Sequence, residues 1–442
     1  MTTSRVTEVY EIATYLVAIL ITVGFPLYYF WRHQKKEREA REKLSEATST
    51  GRTEPISLHP KIDPNRCIGA GACVKACPEG EILGTIHGKA ALVSPTKCIG
   101  HGACQAACPV DAIELVFGTE RRGIEIPYLK SNFETNMRGL YIAGELGGMG
   151  LIRNAITQGR EAVEYLAATL GKSDKAIYDV AIVGAGPAGF AATLQAQKQG
   201  LRYVTFDQSD LGGTILTYPR QKIVMTQPMN IPIYGKFNAR QIRKEELIGL
   251  FEGIAKQTGT AIHANEKLET LKRVNGHYEV TTSKGSYLAQ RIVLAIGRRG
   301  TPRKLGVPGE VSAKVAYKLL EPEQYRGMRA LVVGGGDSAV EAALALANQP
   351  GTEVTLSYRK AVLTRTKQKN LEAMERAIAQ GRIRALFESN VTEILEDRVY
   401  LQHGEKHGAL KNDYVFIFAG GELPTGFLQK LGIRIEMKFG EK

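Results

Sequence analysis

The six cysteines of this 442-residue chain all fall within 42 residues, from Cys67 to Cys108, and they follow a repeated pattern. The stretches CIGAGACVKACP (residues 67–78) and CIGHGACQAACP (residues 98–109) both read C-x5-C-x3-C-P. Clustered cysteines with none elsewhere indicate metal ligation in a reducing compartment rather than a disulfide framework. Zinc is one metal that such residues can hold, but two interleaved triads of this spacing do not match zinc sites. The pattern therefore predicts a metal-binding domain of another kind.

This pattern resembles the dicluster bacterial ferredoxins, whose run is C-x2-C-x2-C-x3-C-P and whose fourth cysteine ligates the other cluster. The resemblance implies a small α+β domain over residues 59–118 with two iron–sulfur clusters. Carried over by position, the ligands are Cys67, Cys73 and Cys108 with Ala70 in the fourth position, and Cys77, Cys98 and Cys104 with His101 there. Three thiolates suit a [3Fe-4S] cluster, or a [4Fe-4S] cluster whose fourth iron takes another ligand such as imidazole. A ferredoxin fold that has lost its clusters is the alternative.

The amino-terminal residues 10–31 (YEIATYLVAILITVGFPLYYFW) are apolar and numerous enough to cross a membrane. They end in four aromatic residues and are followed by the basic run RHQKKEREAREK. The positive-inside rule predicts a single-pass anchor (residues 1–31) in the inner (cytoplasmic) membrane, with the catalytic domains facing the cytoplasm. A cleaved signal peptide is the alternative, although a basic n-region and an A-x-A site are missing. The polar residues 32–58 are predicted to be a linker.

A first dinucleotide-binding pattern begins at residue 179, where an apolar strand (DVAIVG) leads into a helix of small residues. The Gly-x-Gly-x-x-Gly between them lets a pyrophosphate lie against backbone amides at the helix amino terminus. An acid ends the next strand, where a carboxylate would bind ribose hydroxyls. The predicted binding residues are Gly184, Gly186, Pro187, Ala188, Gly189 and Asp207, in a domain over residues 173–300.

A second pattern, RALVVGGGDSAVEAALALA, begins at residue 329 and has the form Gly-x-Gly-x-x-Ala. Its next strand (EVTLSYRK) ends in cations, which suit the 2′-phosphate of NADP, with a solvated basic face as the alternative. The predicted binding residues are Gly334, Gly336, Asp337, Ser338, Ala339, Arg359, Lys360 and Arg365. The acid in the first pattern and the cations in the second imply that the first binds FAD and the second binds NADPH. The NADPH domain is predicted over residues 301–412, followed by a return to the FAD domain at 413–442.

Together these patterns resemble the thioredoxin-reductase-like flavoproteins of the pyridine nucleotide-disulfide oxidoreductase family. The stretch LGGTILTYPRQKIVMTQP (residues 211–228) is similar to the bacillithiol disulfide reductases of that group. The resemblance implies an α/β fold: two Rossmann-like domains (FAD and NADPH) preceded by the dicluster ferredoxin domain and one transmembrane helix. It adds Gly213, Thr214 and Gly297 to the FAD-binding residues. Thioredoxin reductases carry a C-x-x-C dithiol in the NADPH domain, and its absence here excludes a dithiol relay to a protein disulfide.

One segment of that family stands in an unusual place. The final motif of that family has the form TNxxGLYIAGD. In this chain it lies at ETNMRGLYIAGELGGMGLIRNAITQGREA (residues 134–162), ahead of the first glycine loop. We infer a circular permutation that moves this part of the FAD domain to residues 119–172, since permutation is tolerated where termini lie close together. The match assigns FAD contacts to Gly144, Glu145, Arg153, Asn154 and Ala155. An unrelated helical linker is the alternative.

The formal net charge of +13 is accounted for by the membrane-proximal basic run and phosphate-binding loops, and no nucleic-acid partner is predicted. The sequence predicts a membrane-anchored oxidoreductase that passes electrons between NADPH, FAD and the clusters, and to or from a redox partner protein or small-molecule acceptor. A two-electron reductase of a small disulfide with peripheral clusters, and a membrane-tethered redox sensor, are the alternatives. No catalytic acid or base stands out. The oligomeric state is left open, a homodimer included.

Overall fold

A computed structural model describes residues 13–55, 58–148, 150–172, 174, 177–225, 228–239, 241–298, 300, 302–364 and 366–441. Its contacts divide the chain into two compact units. The first unit comprises the described residues up to Pro55 together with His59–Val116, and the second continues from Phe117 and includes residue 58. The first unit therefore ends two residues before the predicted end of the ferredoxin-like domain.

Helix α1 (Ala13–Ser49) is continuous over 37 residues, with a π-helical turn at Leu20–Gly24. In the described part of the chain it is the one helix long and apolar enough to cross a membrane. Its large apolar side chains from Tyr15 to Trp31 are all more than half exposed. An apolar helix exposed all round suits lipid, and a signal sequence near the amino terminus has the same properties.

The structure corrects the linker predicted for residues 32–58, because helix α1 continues to Ser49. Charged residues four apart support the helix, as where Arg41 and Glu37 form an ion pair of 2.6 Å. Ala40 on the same helix is 6% exposed. This part of the chain therefore packs within the first unit and does not act as a flexible spacer.

The rest of the first unit is a small α+β domain. Its elements are β1 (His59–Ile62), α2 (Ala72–Ala76), β2 (Leu83–Ile86), β3 (Lys89–Leu92), α3 (Ala103–Ala106) and β4 (Ile113–Val116). Strand β1 pairs antiparallel with β4, and β2 pairs antiparallel with β3. Each short helix follows directly after a glycine in the left-handed conformation, Gly71 (φ 65°) or Gly102 (φ 79°). The two sequence repeats therefore form two equivalent turns into a helix.

The first sheet of the second unit has six strands. They are β6 (Leu140–Ile142), β7 (Tyr178–Val183), β8 (Tyr203–Phe206), β13 (Leu268–Val274), β14 (His277–Thr282) and β15 (Ser286–Leu294). The order is β13-β14-β15-β7-β8, with β6 also paired to β15. Strands β6, β15, β7 and β8 are parallel, so their carboxyl ends meet at one edge. Helices α4 (Ile152–Ala167) and α5 (Pro187–Lys198) pack against this sheet in one apolar core.

Residues 119–172, which the sequence predicts to be a displaced segment, are built into the second unit. Strand β6 extends the first sheet and helix α4 packs against helix α5. Strand β5 (Ile124–Pro127) pairs antiparallel with β24 (Ile435–Lys438), near the other end of the chain. The Phe117 N–H donates to the Glu441 carbonyl at 2.7 Å. This arrangement differs from an unrelated helical linker, which was the alternative for residues 119–172.

The second sheet is parallel and has five strands. They are β16 (Val315–Ala316), β17 (Arg329–Val333), β18 (Glu353–Tyr358), β19 (Ile383–Phe387) and β23 (Tyr414–Ile417), in the order β16-β23-β17-β18-β19. Helices α7 (Asp337–Ala347) and α8 (Gln368–Ala379) pack on it. Because β23 pairs with β17, the predicted return to the FAD domain at residue 413 is wrong. The return follows β23, near the antiparallel bridge between Pro302 and Gly421.

The other elements of the second unit surround these sheets. They are β9 (Ile223–Met225), β10 (Met229–Ile231), β11 (Gly235–Phe237), β12 (Gln241–Arg243), α6 (Lys244–Thr258), β20 (Ser389–Ile394), β21 (Arg398–His403), β22 (Lys406–Lys411) and α9 (Thr425–Lys430). Strands β20, β21 and β22 form an antiparallel sheet. Leu428 of α9 is buried in the core of the first sheet, so the chain has returned to that sheet by this point.

Candidate functional site

The six cysteines line two separate cavities of the first unit. One cavity is lined by Cys77, Cys98 and Cys104 together with His101. The other is lined by Cys67, Cys73 and Cys108 together with Ala70. We call these the His101 site and the Ala70 site. The thiols are grouped as the ferredoxin resemblance implies, with one cysteine of each repeat completing the site of the other.

Backbone groups are directed at the sulfur atoms. The Ala90 N–H donates to the Cys67 sulfur at 3.4 Å, and the Ala112 N–H donates to the Cys108 sulfur at 3.2 Å. Such bonds favour a thiolate over a thiol and tune the potential of a cluster. All six cysteines are free of disulfide bonds.

Burial governs the protonation of the thiols. It raises the pKa of Cys98 to about 11, with the neighbouring thiols of Cys104 and Cys77 adding to the increase. Burial also raises the pKa of Cys73, Cys77 and Cys104. Since thiolates are the metal ligands, metal binding here must displace protons.

The donor groups surround cavities and do not converge on a point. A zinc ion needs each thiolate at about 2.3 Å. Within the described ranges, no three His, Cys, Asp or Glu side chains lie close enough to hold one metal ion.

His101 lies at the position that Ala70 occupies in the other repeat. Its Nε2 atom is 3.8 Å from a carboxylate oxygen of Glu79, and its side chain is 11% exposed. The imidazole thus lies beside both the thiol cavity and an acid. Alanine has no ligating atom, so the two sites differ in the ligands they can offer.

The first glycine loop lies at the carboxyl edge of the first sheet, between β7 and α5. A Cβ atom at Gly184 (φ 102°) would lie 2.5 Å from the Ala295 carbonyl, and one at Gly189 would overlap the Gly184 carbonyl. A Cβ at Gly213 would lie 3.1 Å from the Gly186 Cα atom. Only glycine allows these close approaches, which bring the loop, β15 and residue 213 together.

Asp207 follows β8 at the same edge and is 8% exposed. Its Oδ2 accepts a hydrogen bond from the Ala185 N–H and its Oδ1 accepts one from the Ser209 N–H, both of 2.7 Å. The carboxylate therefore fixes the glycine loop. Its remaining lone pairs can accept a ribose hydroxyl.

Glu145 and the first turn of α4 lie next to this edge. The Gly144 N–H donates to the side chain of Gln158 at 2.8 Å, and a Cβ at Gly144 would lie 2.9 Å from that of Ala188 in α5. Arg153, Asn154 and Ala155 are half-buried in the first turn of α4. Gly297 lies beside Thr214, since its Cβ would be 3.8 Å from the Thr214 hydroxyl. The fold thus gathers most of the predicted FAD residues at one edge.

The sequence did not single out Arg298, which neighbours Glu145. Burial lowers the pKa of Arg298, and the carboxylates of Glu145 and Glu125 act in the opposite direction. The only sequence signal was its place after Gly297 in the loop that closes the first sheet. A half-buried cation at this edge can stabilise negative charge on a ligand.

The second glycine loop lies at the carboxyl edge of the second sheet. Gly334 has φ 143°, and a Cβ atom there would lie 2.4 Å from the Phe418 carbonyl oxygen. Asp337 accepts hydrogen bonds from the Lys367 N–H (2.9 Å) and the Asn370 amide (2.7 Å), which fixes the start of α7. The loop therefore approaches β23 as closely as the first loop approaches β15.

The predicted cations follow β18 at this edge. Arg359 and Lys360 are both exposed, directly after the buried Tyr358. Arg365 lies outside the described residues. Gly336, Ser338 and Ala339 lie at the turn into α7 and in its first turn. The second loop and two of its three predicted cations are therefore close in the fold.

The comparison with known families agrees with this arrangement. The model of the family "Pyridine nucleotide-disulphide oxidoreductase" matches residues 181–439, more than half of the chain. The chain belongs to this family. The model of the "4Fe-4S dicluster domain" matches residues 59–109. This family member thus has a ferredoxin-like domain ahead of its dinucleotide-binding part.

Two curated relatives are similar over much of their length. Bacilliredoxin reductase of Bacillus subtilis is 28% identical over 265 residues, which is 59% of this chain and 82% of that protein. Ferredoxin–NADP reductase of Thermus thermophilus is 31% identical over 271 residues, which is 58% of this chain and 77% of that protein.

The chain is also similar to solved structures of bacillithiol disulfide reductases. The bacillithiol disulfide reductase of Staphylococcus aureus is 25% identical with a TM-score of 0.54, and covers 59% of this chain and 81% of that one. The Bacillus cereus enzyme is 26% identical with a TM-score of 0.53, and covers 58% and 82%. The chain is accordingly an FAD-dependent NAD(P)H oxidoreductase with a 4Fe-4S domain, as predicted.

The described residues fit both kinds of cofactor. At the starts of α5 and α7 the N-cap residues are Gly186 and Gly336, which have no side chain that could occupy the first-turn amides. Such helix starts bind phosphate. Each cavity of the first unit offers three thiols, the donors that iron–sulfur clusters require.

Proposed function

We propose that this family member is a membrane-anchored oxidoreductase that carries electrons between NADPH, FAD and two iron–sulfur clusters, to or from an electron-transfer partner. The observation that carries the proposal is the distribution of thiols. All six line the two cavities of the first unit, and residues 117–442 contain no cysteine. The flavoprotein part thus has no dithiol of its own to receive electrons.

The overall balance requires a two-electron to one-electron conversion. Oxidation of NADPH releases NADP⁺, one proton and two electrons, whereas clusters accept electrons singly. Bound FAD supplies the conversion between the two modes. The chain's part is to hold and orient the groups, so no acid or base needs to be assigned.

The residues of the first sheet's edge hold FAD in this proposal. The amides that begin α5 bind the pyrophosphate, and Asp207 accepts a ribose hydroxyl while its bonds to the loop keep it in place. Glu145 binds the ribityl chain, next to Arg298, whose charge neighbours it. At the second sheet, Arg359 and Lys360 bind the 2′-phosphate of NADPH.

The circular permutation is part of the same proposal. The family model begins only at residue 181 and extends to residue 439, and the match to the Bacillus subtilis relative covers 82% of that protein. Strand β6, which precedes the matched region, occupies a place in the first sheet beside β15. Strand β5, near the start of the second unit, pairs antiparallel with β24, near its end. This pairing supports the proposal that the two strands were once joined through a turn.

The anchor and the cluster types are proposed on similar grounds. Helix α1 exposes large apolar side chains throughout its first half, and the basic run that follows suits the cytoplasmic side of the inner membrane. For the clusters, the His101 site suits four irons with imidazole as the fourth ligand. The Ala70 site suits three irons, because alanine offers no ligand.

Anaerobic stopped-flow spectroscopy of the iron-loaded protein tests the function. We expect NADPH to bleach the cluster absorbance at a rate that matches flavin reduction. The matched variants Cys73→Ser and Cys104→Ser each remove a thiol from one site and should each lose one cluster signal by EPR. Anaerobically purified protein that contained flavin but no iron would contradict the proposal.

A second candidate keeps two-electron chemistry, with the flavin reducing a small disulfide directly. It is favoured by the similarity to bacilliredoxin reductase and bacillithiol disulfide reductase. A cluster-free variant with all six cysteines replaced by serine separates the two. Undiminished NADPH oxidation with bacillithiol disulfide would favour the second candidate, and loss of electron delivery with no disulfide turnover would favour the first.

A further inference from the structure

We propose that the Ala70 site is the membrane-facing one of the two cluster sites, and that Ile68 beside it lies against an anionic lipid surface. The inference rests on the proposed function for the anchor and for the clusters. It adds an orientation, an interaction surface and an order of the two sites relative to the bilayer.

The orientation follows from how α1 packs on β2. The Glu37 carboxylate accepts a hydrogen bond of 3.0 Å from the His87 N–H, and Lys43 forms an ion pair of 3.1 Å with Glu81. The helix and the strand therefore run antiparallel. Lys43 is six residues further from the membrane-spanning part than Glu37, or about 9 Å along the axis. His87 thus lies on the membrane side of the domain, and Glu81 lies on the far side.

The two cluster sites are attached to opposite ends of this strand. At the membrane side, Lys89 donates to the Cys67 carbonyl at 2.6 Å, and a Cβ at Gly69 would overlap the Gly88 carbonyl. The turn after β2 therefore packs on the Ala70 site. At the far side, Ile82 lines the cavity of the His101 site, and Glu79 neighbours His101.

The surface next to the Ala70 site suits a lipid headgroup layer. Ile68 is 65% exposed, and within the described His59–Val116 it is the only large apolar side chain with such exposure. Its counterpart in the other repeat, Ile99, is half-buried. Two exposed cations are near Ile68: Arg66 lies two residues before it, and Lys89 donates to the carbonyl of the preceding residue, Cys67. An apolar side chain between cations matches an anionic bilayer surface.

Depth measurement on the holoprotein tests the placement. A nitroxide-bearing noncanonical residue replaces Ile68 in one variant and Glu81 in another, which leaves the thiols untouched. Both are reconstituted in phosphatidylcholine–phosphatidylglycerol vesicles that carry a nickel-chelating lipid. We expect several-fold greater relaxation enhancement by the lipid-bound nickel at position 68 than at position 81.

Equal enhancement at the two positions, or a greater one at 81, in iron-loaded and vesicle-bound protein would overturn this placement and leave the proposed function standing. A label at His87, on the membrane side of the same strand, must behave like the label at 68, so that a local effect of replacing Ile68 is recognised. Protein that does not associate with vesicles, or that holds no iron, would instead overturn the proposed function and the placement with it.

Discussion

Gly159 of helix α4 packs closely against the first turn of helix α5. A Cβ atom there would overlap the Ala188 carbonyl, which belongs to the first turn of α5. The contact is with backbone and has no rotamer to relieve it. The packing of α4 on α5 therefore depends on a single absent methyl group.

We expect Gly159→Ala to destabilise the second unit by about 1–3 kcal/mol, because the helices must separate to admit the methyl group. The apparent Tm, followed by flavin release, should fall by about 2–4 °C per kcal/mol. Gly249→Ala, at an exposed position of helix α6, is the control. No described atom lies within 4 Å of its added Cβ, so it should stabilise by about 0.5–1 kcal/mol. Equal behaviour of the two variants would contradict this account.

His101 is proposed as the fourth ligand of its site. Replacing a neutral imidazole by an anionic thiolate should lower the reduction potential of that cluster, by on the order of 100 mV. His101→Cys, followed by potentiometric EPR, measures the shift. Ala70→Cys is the matched variant of the other repeat and should leave the His101-site signal where it was. An unchanged spectrum in His101→Cys would argue that the imidazole is no ligand.

Arg359 is expected to distinguish NADPH from NADH through the 2′-phosphate. Arg359→Ala should raise the KM for NADPH about tenfold, equivalent to about 1.4 kcal/mol, and leave the KM for NADH unchanged. Steady-state reduction of ferricyanide measures both. Lys406→Ala, an exposed lysine at the start of β22, should change neither constant. Equal changes in the KM for NADPH and for NADH would show that Arg359 acts only as a general surface charge.

At this scale the resemblance to the dicluster ferredoxins implied the grouping of the thiols that line the two cavities. The sequence did not predict Arg298, since a cation after a glycine has no periodic or paired signal. Nor did it predict that Asp207 accepts bonds from the glycine loop, which depends on how the loop folds back toward β8.

Among the elements, helix α1 departs most from expectation. The polar composition of residues 32–58 predicted a linker, but the Glu, Lys and Arg of residues 32–49 are strong helix formers and pair with one another at spacings of four. A signal was present in the small residues Ala40 and Ala47, both buried, seven positions apart on one helix face. Two small residues among so many charged ones do not form a recognisable apolar pattern in the sequence.

The packing of Ala40 on β2 is tight. A Cβ at Gly84 would lie 2.6 Å from that of Ala40, so leucine at position 40 cannot fit without moving the helix. We expect Ala40→Leu to weaken the packing by about 1–3 kcal/mol and to speed hydrogen exchange of the His87 amide. Glu39→Leu, on the exposed face, should leave that exchange rate unchanged. Unaltered protection in Ala40→Leu would show that the helix does not depend on this contact.

For the whole molecule, the parallel strands of the two sheets follow from strand–glycine–helix patterns. The boundary at residue 413 does not, because the pairing of β23 with β17 is a long-range contact. The family motif at residues 134–162 gave a sequence reason to propose a permutation, whereas nothing in the sequence indicated the β5–β24 pair. Short strands that pair across 300 residues leave no local pattern.

If the order is a permutation, restoring the family order should give a working flavoprotein. The chain would begin at residue 173, run to 441, continue through a short turn and end with residues 119–172. We expect it to bind FAD without iron and to reduce ferricyanide with NADPH, because Phe117 and Glu441 already share a hydrogen bond. The same chain without 119–172 should bind no flavin. Flavin binding by the shortened chain would contradict the assignment of that segment.

The docked part of helix α1 has a consequence for encounters with other molecules. A domain on a loose tether sweeps a volume above the membrane, whereas one fixed to its anchoring helix diffuses and rotates mainly in the plane of the bilayer. If the proposed anchor lies in a bilayer and the redox partner is itself a membrane protein, the rate at which they meet depends on the number of partners per unit of membrane area. Added lipid would then slow the flow of electrons.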